Sequence, residues 1–200
     1  MNYSENIHPV FDQILKREDK EKLLGQKSRV IWCTGLSGAG KTTLAKNLEK
    51  ALYNKGHLTQ VLDGDNIRSG INNNLGFTEA DRHENIRRIA EVSKLLIESG
   101  VITINSFISP THKIRHMAMD IIGENNFIEI YVKAPLKVCE ARDSKGLYKK
   151  AREGKIKNFT GIDSPFEPPE NPDLIIDTQD NSVETSLNMA MDYILPKIQL

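Results

Sequence analysis

The sequence predicts an α/β fold: a doubly wound, mainly parallel five-stranded sheet flanked by helices on both faces. Three observations predict it. Apolar runs of strand length alternate with segments of helical period along most of the 200 residues. The first such run, residues 29–34, is apolar almost throughout, as a strand buried on both faces must be. It leads straight into Gly35-Leu-Ser-Gly-Ala-Gly40-Lys41-Thr42, a glycine-rich loop followed by a helical pattern.

The elements follow in order. Residues 7–27 are polar and charged, with a short helical candidate from Asp19 that Gly25 can cap. After the glycine loop a helix runs from Lys41 or Thr42 to about Lys55, with Gly56 just beyond. Residues 58–62 form the second strand. Thr78 opens a longer helix, with Asp81 three residues on as in a capping box. Ile86, Ile89, Ala90, Leu96 and Ile97 supply its apolar face, which ends at Gly100. Residues 101–108 are the third strand, after which Ser109 as N-cap and Pro110 at the first helical position begin another helix. Residues 127–132 are the fourth strand and 136–142 a short helix. Residues 174–176 make a last strand, and Ser182 caps a closing helix to about Leu195. The expected organisation is a single domain over 1–200, with an N-terminal extension (1–27) and a mobile lid (about 143–166).

Composition narrows the function. Lys+Arg and Asp+Glu balance at 27 each, so no global field draws the protein to nucleic acid or a membrane surface. No run of eighteen apolar residues and no signal-peptide pattern is present, which makes a cytoplasmic enzyme the expectation. Cys33 and Cys139 stand alone inside apolar runs and read as reduced core thiols.

The glycine loop is a P-loop. Gly35, Gly38 and Gly40 let consecutive backbone N–H groups of residues 35–43 converge on phosphate oxygens, at the positive end of the following helix. Lys41 reaches the β- and γ-phosphates of ATP, and the Thr42 hydroxyl binds Mg²⁺. Arg142 either stacks on the adenine of ATP or is an exposed arginine favoured by its helix end. The acceptor side is expected at the carboxyl ends of the strands. Strand two ends in "LDGDNIR", where Asp63 and Asp65 can divide metal binding and proton removal. Its bland reading is a turn with Asp65 as N-cap. Arg82 and Asn85 lie one turn apart on the Thr78 helix, and the arginine fork suits a phosphate or sulfate. Phe77 is either a hydrophobic staple or a plate on which a base stacks.

"GLSGAGKTT", "LDGDNIR", "LGFTEADRHENIRR", "FISP", "KGLYKKAREG" and "NFTGIDSPFEPPENPDL" stand in this order. Together they resemble the adenylylsulfate kinase (APS kinase) family over residues 19–177. That resemblance implies phosphorylation of the ribose 3′-hydroxyl of adenosine 5′-phosphosulfate (APS), with ATP and Mg²⁺, to 3′-phosphoadenosine 5′-phosphosulfate (PAPS) in sulfate assimilation. By position it implies that Arg68, Arg82, Asn85 and Ile108 bind APS. Phe77 and Phe159 clasp its adenine, and Lys145 in the lid meets nucleotide phosphates. Thr42 and Asp63 hold Mg²⁺, Lys41, Asp63 and Asp65 serve catalysis, and Gly35, Leu36, Ser37, Gly38, Ala39, Gly40, Lys41, Thr42, Thr43 and Arg142 hold ATP. A homodimer is implied as well. Ser109 occupies the family's phosphoserine position, although direct transfer needs no covalent intermediate. Two departures stand out: Thr111 and His112 replace the usual aromatic and arginine after "FISP", for which Lys113 or Arg115 can substitute, and Ser144 replaces a proline at the lid hinge.

Overall fold

The structure is a computed structural model that describes residues 7–200. The start of the expected N-terminal extension, residues 1–6, lies outside the described residues. Five strands form one sheet in the order β2-β3-β1-β4-β5: β1 (Val30–Thr34), β2 (Thr59–Asp63), β3 (Ile102–Ser106), β4 (Phe127–Lys133) and β5 (Leu174–Asp177). Each adjacent pair is parallel. The central β1 is fully buried and its side chains alternate between two cores. Ile31 and Cys33 face α2 (Lys41–Tyr53) and α8 (Val183–Ile198). Val30 and Trp32 face α4 (Glu79–Ile97) and α5 (His112–Ile122). Trp32 stacks between Phe107 at 5.8 Å and Phe127 at 5.4 Å, which fills the second core with rigid area. Cys33 and Cys139 are free and buried. Among the described residues no helix is long and apolar enough to cross a membrane.

The N-terminal helix α1 (Arg17–Leu24) starts two residues before the expected Asp19 and ends at Gly25 in the left-handed region. It closes the amino-terminal edge of the sheet with polar groups rather than apolar ones. The buried Gln26 amide donates to the carbonyls of Gly100 (2.8 Å) and Leu58 (3.0 Å) and accepts from the Leu58 N–H (2.9 Å).

Four local expectations are corrected. The "LDGDNIR" stretch is not a plain turn: a short helix, α3 (Gly64–Ser69), follows β2 directly, and its N-cap is Asp63, whose carboxylate accepts the Asp65 N–H at 3.1 Å. A second unforeseen helix, α7 (Leu147–Arg152), follows α6 (Leu136–Arg142), with the Asp143 carboxylate accepting the N–H groups of Tyr148 and Lys149. The closing helix runs on through Pro196 to Ile198, beyond the expected Leu195.

The fourth correction concerns Ser109, which caps nothing. The cap of α5 is Thr111, and Ser109 sits at φ 39°, a conformation uncommon outside glycine. The cause lies across the chain. The Ser109 hydroxyl accepts the Trp32 indole N–H at 3.0 Å and donates to Thr34 Oγ1 at 3.0 Å, which donates to the Ile108 carbonyl at 2.7 Å. A buried indole N–H needs an acceptor, and this relay supplies it. Ser109→Ala is therefore expected to lower unfolding stability by about 1–3 kcal/mol, the cost of stranding that donor. It is also expected to keep measurable transfer activity. Denaturant titration and steady-state rates check both parts; an inactive variant of unchanged stability would restore a covalent role.

Candidate active site

The carboxyl ends of the parallel strands open onto one cavity of about 820 Å³, a size suited to nucleotide-like ligands. Lys41, Thr42, Thr43, Asp63, Asp65, Arg68, Phe77, Arg82, Asn85, Ile108, Ser109, Arg142, Lys145 and Phe159 all line it. Sequence positions more than a hundred residues apart are thus gathered by the parallel topology alone, since every strand points the same way.

The donor wall is the loop between β1 and α2. Two of its glycines are required by space. A Cβ on Gly35 would lie 2.3 Å from the Val132 carbonyl oxygen, and one on Gly38, at φ 75°, 3.0 Å from the Cys139 carbonyl. The loop is wedged between β4 and α6. Leu36 and Ala39 do not line the cavity: Ala39 is buried, and Leu36 lies on the outer side beside Gly161 and Tyr131. Only their backbone serves the site.

Lys41 is buried, with Nζ donating to the Leu36 carbonyl at 2.8 Å. Burial pushes its pKa down from 10.5 to about 8, partly offset by Cys139, Cys33 and Asp63. A phosphate chain beside the ammonium restores its charge, so nucleotide binding takes up a proton when the pH exceeds about 8. Affinity for ATP is accordingly expected to weaken as pH rises above 8, by up to about tenfold per unit, while remaining flat below. Calorimetric titrations from pH 7 to 9.5 check this; a constant affinity across that range contradicts it.

Thr42 Oγ1 donates to Asp63 Oδ2 at 2.8 Å and lies 3.4 Å from Ser106 Oγ. Hydroxyl and carboxylate oxygens thus meet at the mouth of the loop, hard ligands of the kind Mg²⁺ accepts. Among the described residues no cluster of three His, Cys, Asp or Glu forms a cage for a metal. This sparse donor set fits an ion carried in largely by substrate phosphates. Asp63 is committed twice, to Thr42 and to the α3 cap. Asp65, two residues on, points its exposed carboxylate into the cavity mouth and pairs with Lys145.

The opposite wall is built by α3, α4 and the segment that carries Phe159 and Thr160. The Arg68 guanidinium lies 4.4 Å over the Phe77 ring and donates to the carbonyls of Leu75 and Gly76. Phe77 is therefore an exposed plate backed by a cation, not a staple packed against α4. Arg82 Nε donates to the Phe77 carbonyl at 3.0 Å; its two terminal nitrogens reach Thr160 Oγ1 at 2.6 Å and the Asn158 carbonyl. Asn85 is buried, its side-chain oxygen accepting from Asn72 Nδ2 at 3.0 Å. Phe159 meets the edge of Tyr148 at 5.0 Å and 78°.

Arg142 is exposed at the end of α6, in keeping with one of its two readings. Arg142 donates to the Gly38 carbonyl, to Thr178 Oγ1 at 2.9 Å and to the Thr178 carbonyl at 2.6 Å, so it buttresses the donor loop besides lining the cavity. Neither Lys113 nor Arg115 lines the cavity in place of the usual arginine. Arg115 is buried, donating to the carbonyls of Ser109 and Glu167 at 2.8 Å each, with Nε 3.1 Å from Glu129. His112 donates its backbone N–H to the Glu167 carboxylate at 2.7 Å. Of the two departing side chains, Thr111 caps α5 and the His112 ring lies 3.1 Å from the Arg115 guanidinium, while Arg115 and the His112 backbone tie Glu167 to α5. Residues unforeseen from sequence are Tyr148, Thr178, Ser106 and Thr160. Thr178 had a signal, since it directly follows a strand's carboxyl end.

The family model described as Adenylylsulphate kinase matches residues 27–177. The chain is 59% identical to an adenylyl-sulfate kinase of Bacteroides thetaiotaomicron, over 100% of this chain and 99% of that protein. It is 54% identical to an adenylyl-sulfate kinase of Clostridium kluyveri, over 93% of each. Its structure is similar to that of the Mycobacterium tuberculosis APS kinase in complex with AMPPNP and APS, with a TM-score of 0.82 and 43% identity, covering 84% of this chain and 98% of that one.

Proposed function

Because the chain belongs to the adenylylsulfate kinase family, we propose that it transfers the γ-phosphoryl group of ATP to the ribose 3′-hydroxyl of APS, giving PAPS. The observation that carries this reading is the shared cavity: a P-loop with its lysine on one wall, and two arginines with two aromatic plates on the other. Each substrate has a recognisable seat. The loop's N–H groups and Lys41 hold the β- and γ-phosphates and place positive charge where it builds up during transfer. Phe77 and Phe159 sandwich the APS adenine, and the Arg68 and Arg82 forks take its phosphosulfate.

Asp65 accepts the proton of the 3′-hydroxyl, since Asp63 is bound to Thr42 and to the α3 cap. The residues that would hold Mg²⁺ are Thr42 and Asp63, with Ser106 beside them; the ion would neutralise the β- and γ-oxygens in the usual way. Residues 143–166 are the lid. Lys145 reaches Asp65 from its start and Arg82 grips Asn158 and Thr160 near its end, so closure excludes water from the transferring group. A homodimer and a cytoplasmic location belong to the same reading; sedimentation of the purified protein tests the first.

A coupled assay of ADP release, with APS, AMP or shikimate as acceptor, tests the reaction. Turnover with APS is expected. Turnover with AMP or shikimate alone overturns the acceptor, and none with any of the three indicates a domain that binds nucleotide without transfer.

A further inference from the structure

Four consecutive carbonyls of the donor loop are each held by a side chain. Leu36 accepts from Lys41 at 2.8 Å, Ser37 from the Tyr148 hydroxyl at 2.9 Å, Gly38 from Arg142 at 3.3 Å and Ala39 from Thr178 at 2.8 Å. The geometry matters because a peptide is planar, with its C=O and the next N–H pointing opposite ways. A P-loop works only if its N–H groups converge on the phosphate. A carbonyl tethered on the outside therefore aims the following N–H inward.

Tyr148 differs from the other three holders. Lys41 and Arg142 are themselves placed to meet nucleotide. Thr178 is an extension of β5, its own N–H bonded to the Lys133 carbonyl at 2.9 Å. Tyr148 comes from the lid region. It is 2% exposed, and it sits in the first turn of α7, whose start Asp143 fixes. Burial and the neighbouring Cys139 and Glu140 raise its hydroxyl pKa well above the ordinary value, so it stays a donor at every working pH. Its ring meets that of Phe159 in an edge-to-face contact, with the centroids 5.0 Å apart and the planes at 78°.

We infer that Tyr148 is a positioning residue that serves both walls: its hydroxyl orients the Ser37–Gly38 peptide toward the ATP phosphates, and its ring edge braces the Phe159 plate. The first half rests on the loop as the ATP site alone. The second rests also on APS as the acceptor.

Two variants separate the halves. Tyr148→Phe keeps the ring and frees the Ser37 carbonyl. The dissociation constant for adenylyl imidodiphosphate, measured by calorimetry without acceptor, is expected to rise by up to about tenfold, because the Ser37–Gly38 peptide is then oriented only on binding. The KM for ATP should rise in step, while the KM for APS at saturating ATP stays near wild type and the melting temperature falls by only a few degrees. Tyr148→Leu also removes the ring edge and is expected to raise the KM for APS as well. A wild-type dissociation constant in Tyr148→Phe overturns the proposal. So does a Tyr148→Phe enzyme that loses affinity for both substrates alike, which marks a general packing role. If the wild-type protein binds the analogue but never turns over APS, the acceptor reading fails while the calorimetric arm still decides the role of the hydroxyl.

Discussion

Lys41→Ala is expected to lower kcat with APS and ATP by about 10³-fold or more, the scale lost when one preorganised charge stabiliser is removed. That corresponds to about 4 kcal/mol of transition-state stabilisation. The loss arises because, among the described residues, the other cations beside the donor loop are already engaged. Arg142 is bonded to Gly38 and Thr178, and Lys145 to Asp65. The same lysine makes an opposite prediction for stability. Its pKa is about 8 folded against an ordinary 10.5, so below pH 8 the folded state carries a charge that burial disfavours. As pH rises from 8 to 10.5 the unfolded chain holds the extra proton, and this group's contribution to stability improves. Lys41→Met, which keeps the stem and removes the charge, should thus melt at or above the wild-type temperature at pH 7. An inactive variant that is also more stable distinguishes a site residue from a structural one. Near-normal kcat in Lys41→Ala, or a marked fall in the melting temperature of Lys41→Met, contradicts the assignment.

Much of this architecture was legible because it is written locally. β1, the glycine loop and the start of α2 form one continuous stretch, and each part names the next: a buried-type run, then residues that tolerate close backbone approach, then a helical period. α4 declared itself through the Thr78 cap and an apolar face, of which Ile86, Ile89, Ala90 and Ile97 are buried. What escaped was set by distant partners. Ser109 before Pro110 is good cap chemistry, but the indole of Trp32, 77 positions away, claims its hydroxyl. Tyr148 and Thr178 reach the donor loop across 111 and 139 positions, and no periodicity reports such a contact. α7 is six residues, half of them basic, between glycines and too short to show a period; its stability comes from the Asp143 cap and from burying Tyr148 and Ala151. Asp65 read as an N-cap because the glycine before it hid the first residue of α3, whose cap is Asp63.

The second large effect concerns the two carboxylates. Asp65→Asn is expected to reduce kcat by about 10²–10⁴-fold, the range for losing a positioned general base, with the KM for both substrates changed little. Asp63→Asn should behave differently. Asp63 Oδ2 accepts the hydrogen bond of Thr42, the threonine that binds Mg²⁺ in P-loops, and Oδ1 caps α3. Its loss should raise the Mg²⁺ concentration needed for half-maximal rate by about tenfold or more, the scale seen when a group that orients a metal ligand is removed. Added Mg²⁺ then restores much of the rate to Asp63→Asn and none to Asp65→Asn. Rates measured across a Mg²⁺ series decide between the roles: rescue of Asp65→Asn instead reverses them. Equal, unrescued losses in both variants mean that the pair acts as a unit, in which case no division of labour can be read from either alone. The division follows from where the chain places the two groups. Asp63 ends a strand and is bound on both oxygens, whereas Asp65 lies in the first turn of a helix at the cavity mouth, its carboxylate paired, among the described residues, with Lys145 alone.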